Sequence, residues 1–276
     1  MKLGTCLAVV GAAFLSGPAI SQAPDEPALG NWALERSPAR CVISRQYGPA
    51  AAPVTLGFKA PPMGDAIQIV IVRPDDRSKV TQTDANLTVD SEFVRTTALS
   101  YPLGVGRTRA AHLMNLSGDN SASLRRASAL EVRVKGGVSR TKGMHQSFNL
   151  GPMASAWAQL DSCLARLRQT WNISEEGSPI REAARLINPT EALFSSADYP
   201  QAALARSQSG STKIMLLIDE SGVVKDCTLT QASGVAVLDS NTCGVILRRA
   251  RFHPAVGLDG RPAKSAFSQT ITWRLG

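Results

Sequence analysis

The stretch KIMLLIDESGVVKDCTLTQAS, Lys213 to Ser233, decides the reading of the C-terminal part of the chain. Lys213–Asp219 is apolar on both faces, as a strand covered on both sides must be. Glu220-Ser221-Gly222 supplies turn chemistry, and Val223–Ser233 alternates as a second strand, so the two predict a hairpin. By alternation Val223, Cys227 and Leu229 share one strand face.

Outward from the hairpin, Gln201–Gln208 predicts a short helix after Tyr199-Pro200, ending at Gly210. Ser233-Gly234 ends the second strand. A helix then starts at Leu238-Asp239, with Asp239 or Ser240 as its N-cap. Cys243, Ile246, Leu247 and Ala250 form its apolar stripe, and Pro254 stops it. A last strand runs from about Ser265 to Leu275. Cys227 can meet Cys243 where this helix packs on the sheet, and closing so short a loop contributes about 3 kcal/mol. The order is helix, strand, strand, helix, strand, an α+β domain over residues 191–276.

The opening residues read as an export signal. Lys2 precedes the apolar run Leu7–Leu15, followed by the breaker Gly17-Pro18 and by Ser21-Gln22-Ala23. That pattern predicts a secretory signal peptide over residues 1–23, cleaved after Ala23. The alternative is an uncleaved inner-membrane anchor over Leu3–Ile20. The run is short for a span of about 20 residues, and Gly17-Pro18 interrupts it. Cleavage removes Cys6 and leaves Cys41, Cys163, Cys227 and Cys243, which in an exported protein read as two disulfides.

Residues 24–171 predict a β-rich domain closed by an amphipathic helix. Cys41–Tyr47, Ala66–Arg73 and Leu130–Lys135 are rich in β-branched residues and bounded by Pro, Gly and Asp. Gly104–Ser128 has weak periodicity and reads as loop with one short helix. After Gly151-Pro152, Trp157, Leu160, Leu164, Leu167 and Trp171 recur at helical spacing. Cys163 lies beside that face and can be buried against the sheet, where Cys41 begins its first strand, so Cys41–Cys163 is the expected pair. Closing so long a loop contributes on the order of 4–5 kcal/mol. Residues 172–190 read as a linker.

The C-terminal residues together resemble the C-terminal domain of TonB-family proteins. The resemblance runs through Tyr199-Pro200, Ala203, Asp219–Val224, Ser233-Gly234, Leu238-Asp239 and Ala250-Arg251-Phe252. It continues through Pro254-Ala255, Gly260-Arg261-Pro262 and Ile271-Thr272-Trp273. It implies that the last strand pairs with a short extended segment of an outer-membrane transporter. The edge it designates is Ser268, Gln269, Thr270, Ile271 and Thr272, with Asp198, Tyr199 and Pro200 nearby. A chain-terminal strand is also a natural sheet edge, and an open edge offers unpaired N–H and C=O groups to an extended peptide. Against that reading stands one in which Ile271 and Trp273 are core and the edge pairs only with a second copy of the chain or with the first domain.

The chain departs from an energy-transducing TonB in lacking a long Pro-rich spacer, since residues 172–190 reach at most about 60 Å fully extended. The expected function is therefore that of a periplasmic binding protein. The alternatives are a membrane-anchored TonB paralogue that transmits energy and an envelope serine hydrolase. The hydrolase would use Ser139 of Ser139-Arg140-Thr141-Lys142, which has SxxK spacing but follows Gly136-Gly137 instead of opening an apolar helix.

No catalytic residue, cofactor or metal site is expected. GxSxG, Walker, HExxH and EF-hand spacings are missing, and His112, His145 and His253 share no motif with a carboxylate or cysteine. Arg248-Arg249-Ala250-Arg251 is scattered around its helix and lacks stacking aromatics, so nucleic acid is not an expected partner. The net charge of +8 and pI near 9.6 favour peripheral association with anionic envelope surfaces.

Overall fold

The computed structural model describes residues 25–104, 106, 108–136, 143–174 and 179–275. The signal-peptide region and Ser139–Lys142 lie outside the described residues. Ten strands form one sheet: β1 Asp25–Glu26, β2 Ala28–Ser37, β3 Arg40–Tyr47, β4 Val54–Lys59, β5 Ile67–Pro74, β6 Thr81–Val89, β7 Glu92–Leu103, β8 Arg109–Leu116, β9 Ala129–Val134 and β10 Met144–Asn149. Their spatial order is β1-β10-β9-β6-β7-β8-β5-β4-β3-β2. The two outermost strands, β1 and β2, are separated in sequence by Pro27 alone, so the sheet curls until its ends meet. Side chains stitch the seam: Trp32 Nε1 donates to the Leu150 carbonyl at 3.1 Å and the Tyr47 hydroxyl to the Asn149 carbonyl at 3.2 Å. The end strands are bridged by these side chains and not by a backbone ladder.

Alternation along the strands fills the interior. Val54, Leu56 and Phe58 of β4 and Ile67, Ile69 and Ile71 of β5 are all buried in one cluster. Helix α1, Asp119–Arg126, precedes β9, and helix α2, Ala154–Thr170, packs against β2 and β3. The apolar face expected of α2 joins the same core through Trp157, Leu160, Leu164 and Leu167. Phe58 stacks between Trp32 and Trp157 with ring centroids 5.4 Å apart on each side. Cys41 is bonded to Cys163, tying β3 to α2.

Two expectations for this region change. Gly104–Ser128, read as loop, contains the central strand β8 as well as α1. Arg109–Leu116 carries no β-branched residue, and pairing with β5 and β7 on either side imposes the strand. Cys41 also does not stand on the first strand, since β1 and β2 precede it.

The C-terminal part contains β11 Ile180–Glu182, β12 Arg185–Leu186, α3 Thr190–Leu193, α4 Gln201–Leu204, β13 Gly210–Ile218, β14 Val224–Gln231, α5 Ala236–Arg249, β15 Phe252–His253, β16 Ala255–Gly257, β17 Pro262–Ala263 and β18 Ser265–Trp273. The fold is α+β throughout. The main sheet has the order β14-β13-β18, all antiparallel. Within the stretch expected as a linker, Ile180–Leu186 is paired. β11 pairs with β16 and β12 with β15, so Ile180–Leu186 is folded into the C-terminal unit.

The turn of the hairpin is fixed by Gly222, at φ +79°. A Cβ there would run into the Phe252 carbonyl, so only glycine fits. Past the turn, a bulge shifts the register between Leu217/Asp226 and Ile218/Val224. Val224 therefore faces α5 with Cys227 and Leu229, while Val223, expected on that face, is 38% exposed. Cys227 is bonded to Cys243. The opposite face of the sheet docks on the barrel: Leu217 belongs to the barrel's core, with Ala266 packed against it. This explains why Lys213–Asp219 is apolar on both faces. The start of α5 also differs from expectation, as does Leu247, which is 44% exposed outside the buried stripe. The helix begins at Ala236 with Val235 as an N-cap that offers no side-chain bond. Its caps come from the barrel instead: Thr97 Oγ1 accepts from Ala236 N at 2.7 Å and Gln82 Oε1 from Val237 N at 2.6 Å.

Candidate functional site

β18 is an outer strand of its sheet, and among the described residues it pairs with β13 alone. The other outer strand, β14, is crowded by the barrel. Lys59 reaches its Asp226 at 3.1 Å, and a Cβ on Gly64 would stand 2.9 Å from Thr230 Cβ. The open edge of the sheet is therefore β18.

Beside that edge runs a groove of about 290 Å³, lined by Gln269–Trp273 on one side and by Thr190, Glu191 and Phe194 on the other. Four of the five residues expected at the edge line it; Ser268 lies just before them on the same strand, exposed. Ser268, Thr270 and Thr272 point to the solvent face by strand alternation, whereas Ile271 is buried in the C-terminal core. At Ile271, then, the backbone is at the edge while the side chain holds the strand down. The Thr270 carbonyl accepts a 3.4 Å bond from the Gln269 side-chain amide, a weak self-contact that a stronger donor can replace.

The end of the strand is clamped. Trp273 Nε1 donates to Thr242 Oγ1 at 2.8 Å, and the rings of Phe194 and Tyr199 each meet Trp273 edge-on at 5.4 Å. Such T-shaped contacts add to burial and fix orientation. Tyr199 and Pro200 do not reach the groove. Tyr199 backs Trp273 and donates its hydroxyl to the Gln208 carbonyl at 2.6 Å, while Pro200 caps α4. They support the edge from behind.

The far wall of the groove is held by a residue the sequence did not single out for it. Arg249 at the end of α5 donates to the Leu193 carbonyl at 2.7 Å and makes a two-pronged contact with Asp198, at 2.7 and 2.9 Å. The Asp198 carboxylate also accepts from the backbone and hydroxyl of Ser195. The Arg249 guanidinium, with these bonds, holds the Asp198 carboxyl well below the usual carboxylate range. Arg249 thus locks α3 and its following turn to α5. The basic run Arg248–Arg251 is accordingly not a single patch.

Two histidines meet carboxylates that no spacing in the sequence announced. His145 Nε2 lies 2.7 Å from Glu131 Oε1 on neighbouring strands of the barrel surface. His112 accepts or donates at Nδ1 with Ser100 Oγ at 2.8 Å, and its Nε2 stands 3.9 Å from Asp75 Oδ2. Ser100 and His112 are each 1% exposed. A nucleophile sealed in this way offers no access to substrate, so the cluster braces the barrel wall. Burial pushes the His112 ring down to about 4, against the opposing pull of Asp75. Among the described residues no cluster of His, Cys, Asp and Glu is arranged to hold a metal ion. No helix among them is long and apolar enough to cross a membrane.

The outer strand β18 carries the Ile271-Thr272-Trp273 of the resemblance and packs through Trp273 on Thr242 of α5. Residues 195–275 match the family described as Gram-negative bacterial TonB protein C-terminal. The match covers less than a third of the chain and spans α4, the β13–β14 hairpin, α5 and β18. Over these residues the chain is similar to the C-terminal domain of TonB. The barrel lies outside the match, and no curated protein matches the chain.

Proposed function

We propose that this protein is exported to the periplasm, with its signal peptide removed after Ala23, and that its TonB-like module captures an extended segment of an envelope protein. The partner that fits the family best is a TonB-dependent outer-membrane transporter. The captured segment adds as a fourth strand beside β18, using Ser268, Gln269, Thr270, Ile271 and Thr272, with Tyr199 and Pro200 supporting the edge from behind.

The observation that carries this reading is the open β18 edge running along a groove while the β14 edge is crowded by the barrel. Strand addition draws its affinity from main-chain hydrogen bonds and its selectivity from the side chains flanking them. The clamp on Trp273 and the buried Ile271 hold the edge in its paired conformation before any ligand arrives, which lowers the ordering cost of binding. The barrel fixes the orientation of the module and leaves it one edge to offer.

The test is a titration of the isotopically labelled full chain with synthetic peptides from the periplasmic N-terminal segments of such transporters. The expected result is saturable movement of the backbone amide resonances of Ser268–Thr272. Resonances that stay in place at saturating peptide contradict the reading.

A further inference from the structure

A second, separate site lies between the barrel and the TonB-like module. Lys59, Gln68 and Asn115 form a polar row across three neighbouring barrel strands. Lys59 is directly opposite Gln68 on β4 and β5, and Gln68 is directly opposite Asn115 on β5 and β8, so all three side chains emerge on one face. Above the row the module forms a roof from β14 and α5, including the Cys227–Cys243 disulfide, Ala236 and Asp239. Together they enclose about 160 Å³.

The floor of this cavity has donors to spare. The Lys59 ammonium carries three N–H groups and gives bonds to Asp226 Oδ1 and Oδ2, at 3.4 and 3.1 Å. Gln68 Nε2 carries two and gives one to Asn115 Oδ1 at 3.1 Å. Asn115 in turn donates to Asp239 Oδ2 at 3.1 Å. Arg40 Nε also lies 3.6 Å from Asp226, so two cations face a single carboxylate there. Burial holds the Lys59 ammonium below its ordinary range despite Asp226. A further acceptor beside it would offset that desolvation. The apolar part of the lining is Ala66, Leu113, Leu229, Ala236 and the disulfide; Thr228 and Ser240 add hydroxyls, and the Asp239 carboxylate is tied up by Asn115, Thr212 and the Ser233 N–H.

We propose that this cavity binds a short-chain monocarboxylate of about four to six carbons, a size that suits a cavity able to hold a benzene-sized molecule. Its carboxylate takes the spare N–H groups of Lys59 and Gln68. Its aliphatic tail lies against Leu113, Leu229 and the Cys227–Cys243 sulfurs. Such a ligand touches both floor and roof, so its binding tightens the docking of the module on the barrel. The assignment does not depend on strand capture by β18.

The test uses the full chain and a series of straight-chain carboxylates from acetate to hexanoate, read by the side-chain amide resonances of Gln68 and Asn115. Butanoate and hexanoate are expected to move both saturably, while 1-butanol at the same concentrations does not. Ala66→Leu, which fills the cavity with apolar bulk, is expected to abolish the effect. Lys59→Met is expected to weaken it about tenfold or more, as the loss of a charge-assisted bond does. Should either variant fail to fold, the carboxylate and alcohol comparison on the unaltered chain decides. No saturable shift at any chain length means the cavity holds only water and overturns the proposal. Equal binding of butanol and butanoate, or an unchanged response in Ala66→Leu, overturns it as well.

Discussion

Thr97, on barrel strand β7, accepts a 2.7 Å hydrogen bond from the backbone N–H of Ala236, the first residue of α5, from 139 positions away in the chain. The same hydroxyl donates to the Gly234 carbonyl at 3.3 Å. One side chain of the barrel thus does for the module's main helix what an N-cap serine does for an ordinary one. Gln82 on β6 caps the next N–H and bonds Gln208 of the module at 2.8 Å with its other end.

Replacing this cap is expected to destabilise the module through the barrel. Thr97→Val keeps the shape and removes the acceptor, and its expected cost is about 1–2 kcal/mol, the range for a lost N-cap. Chemical denaturation followed by tryptophan fluorescence measures it. A cost near zero would mean that α5 finds its cap elsewhere.

The two disulfides are expected to differ in effect. Cys41–Cys163 closes a separation of 122 residues and Cys227–Cys243 one of 16. Loop-entropy arithmetic gives about 5 kcal/mol for the first and about 3 kcal/mol for the second. Paired Cys→Ala variants, compared by denaturation midpoint, are expected to lose more at the Cys41–Cys163 bridge.

His112 predicts a pH dependence. It faces Asp75, Arg77 and Arg73 as well as Ser100, and its folded value sits near 4 against 6.5 when free. Between those values the unfolded chain takes up a proton at this site that the folded chain does not. Stability therefore rises with pH through that window and is lost as pH falls from about 6.5 toward 4, by on the order of 3 kcal/mol at most. Denaturation curves at pH 7, 5.5 and 4.5 check it, and His112→Gln is expected to flatten the trend.

Arg249→Ala is expected to weaken peptide capture without touching β18. It releases the Leu193 carbonyl and the Asp198 carboxylate, so the wall formed by α3 loses its tie to α5. Peptide affinity measured by calorimetry should fall several-fold, while the β18 amide resonances of the free protein stay close to their unaltered positions. Unchanged affinity would remove α3 from the binding account.

The local patterns of the sequence carried far, and their limits have physical causes. The α2 stripe from Trp157 to Trp171 and the hairpin turn at Gly222 were legible because helical spacing and turn chemistry are properties of neighbouring residues. β8 was not, since Arg109–Leu116 has a sequence without strand preference and is made a strand by partners on both sides. Val223 and Val224 exchanged roles because a single bulge reverses which side of the strand each faces. The start of α5 was misplaced because its caps, Thr97 and Gln82, come from another part of the fold. At the site, the outer strand was legible through the residues that carry the resemblance, Ile271-Thr272-Trp273 among them. The wall opposite it was not, since Arg249 meets Leu193 and Asp198 only after folding, and neither the curling of the ten-stranded sheet nor the cavity under α5 has a signature in any window of sequence.

The central claim is that β18 accepts an extended segment through its backbone, and hydrogen exchange tests it most directly. In an antiparallel pair every second residue turns its N–H toward the new strand, so capture should slow exchange at alternate positions of Ser268–Thr272. N-methylation of the peptide at one set of alternate residues should abolish that protection, and at the other set leave it intact. Protection that ignores the position of the methyl groups, or that appears away from β18, would contradict strand addition.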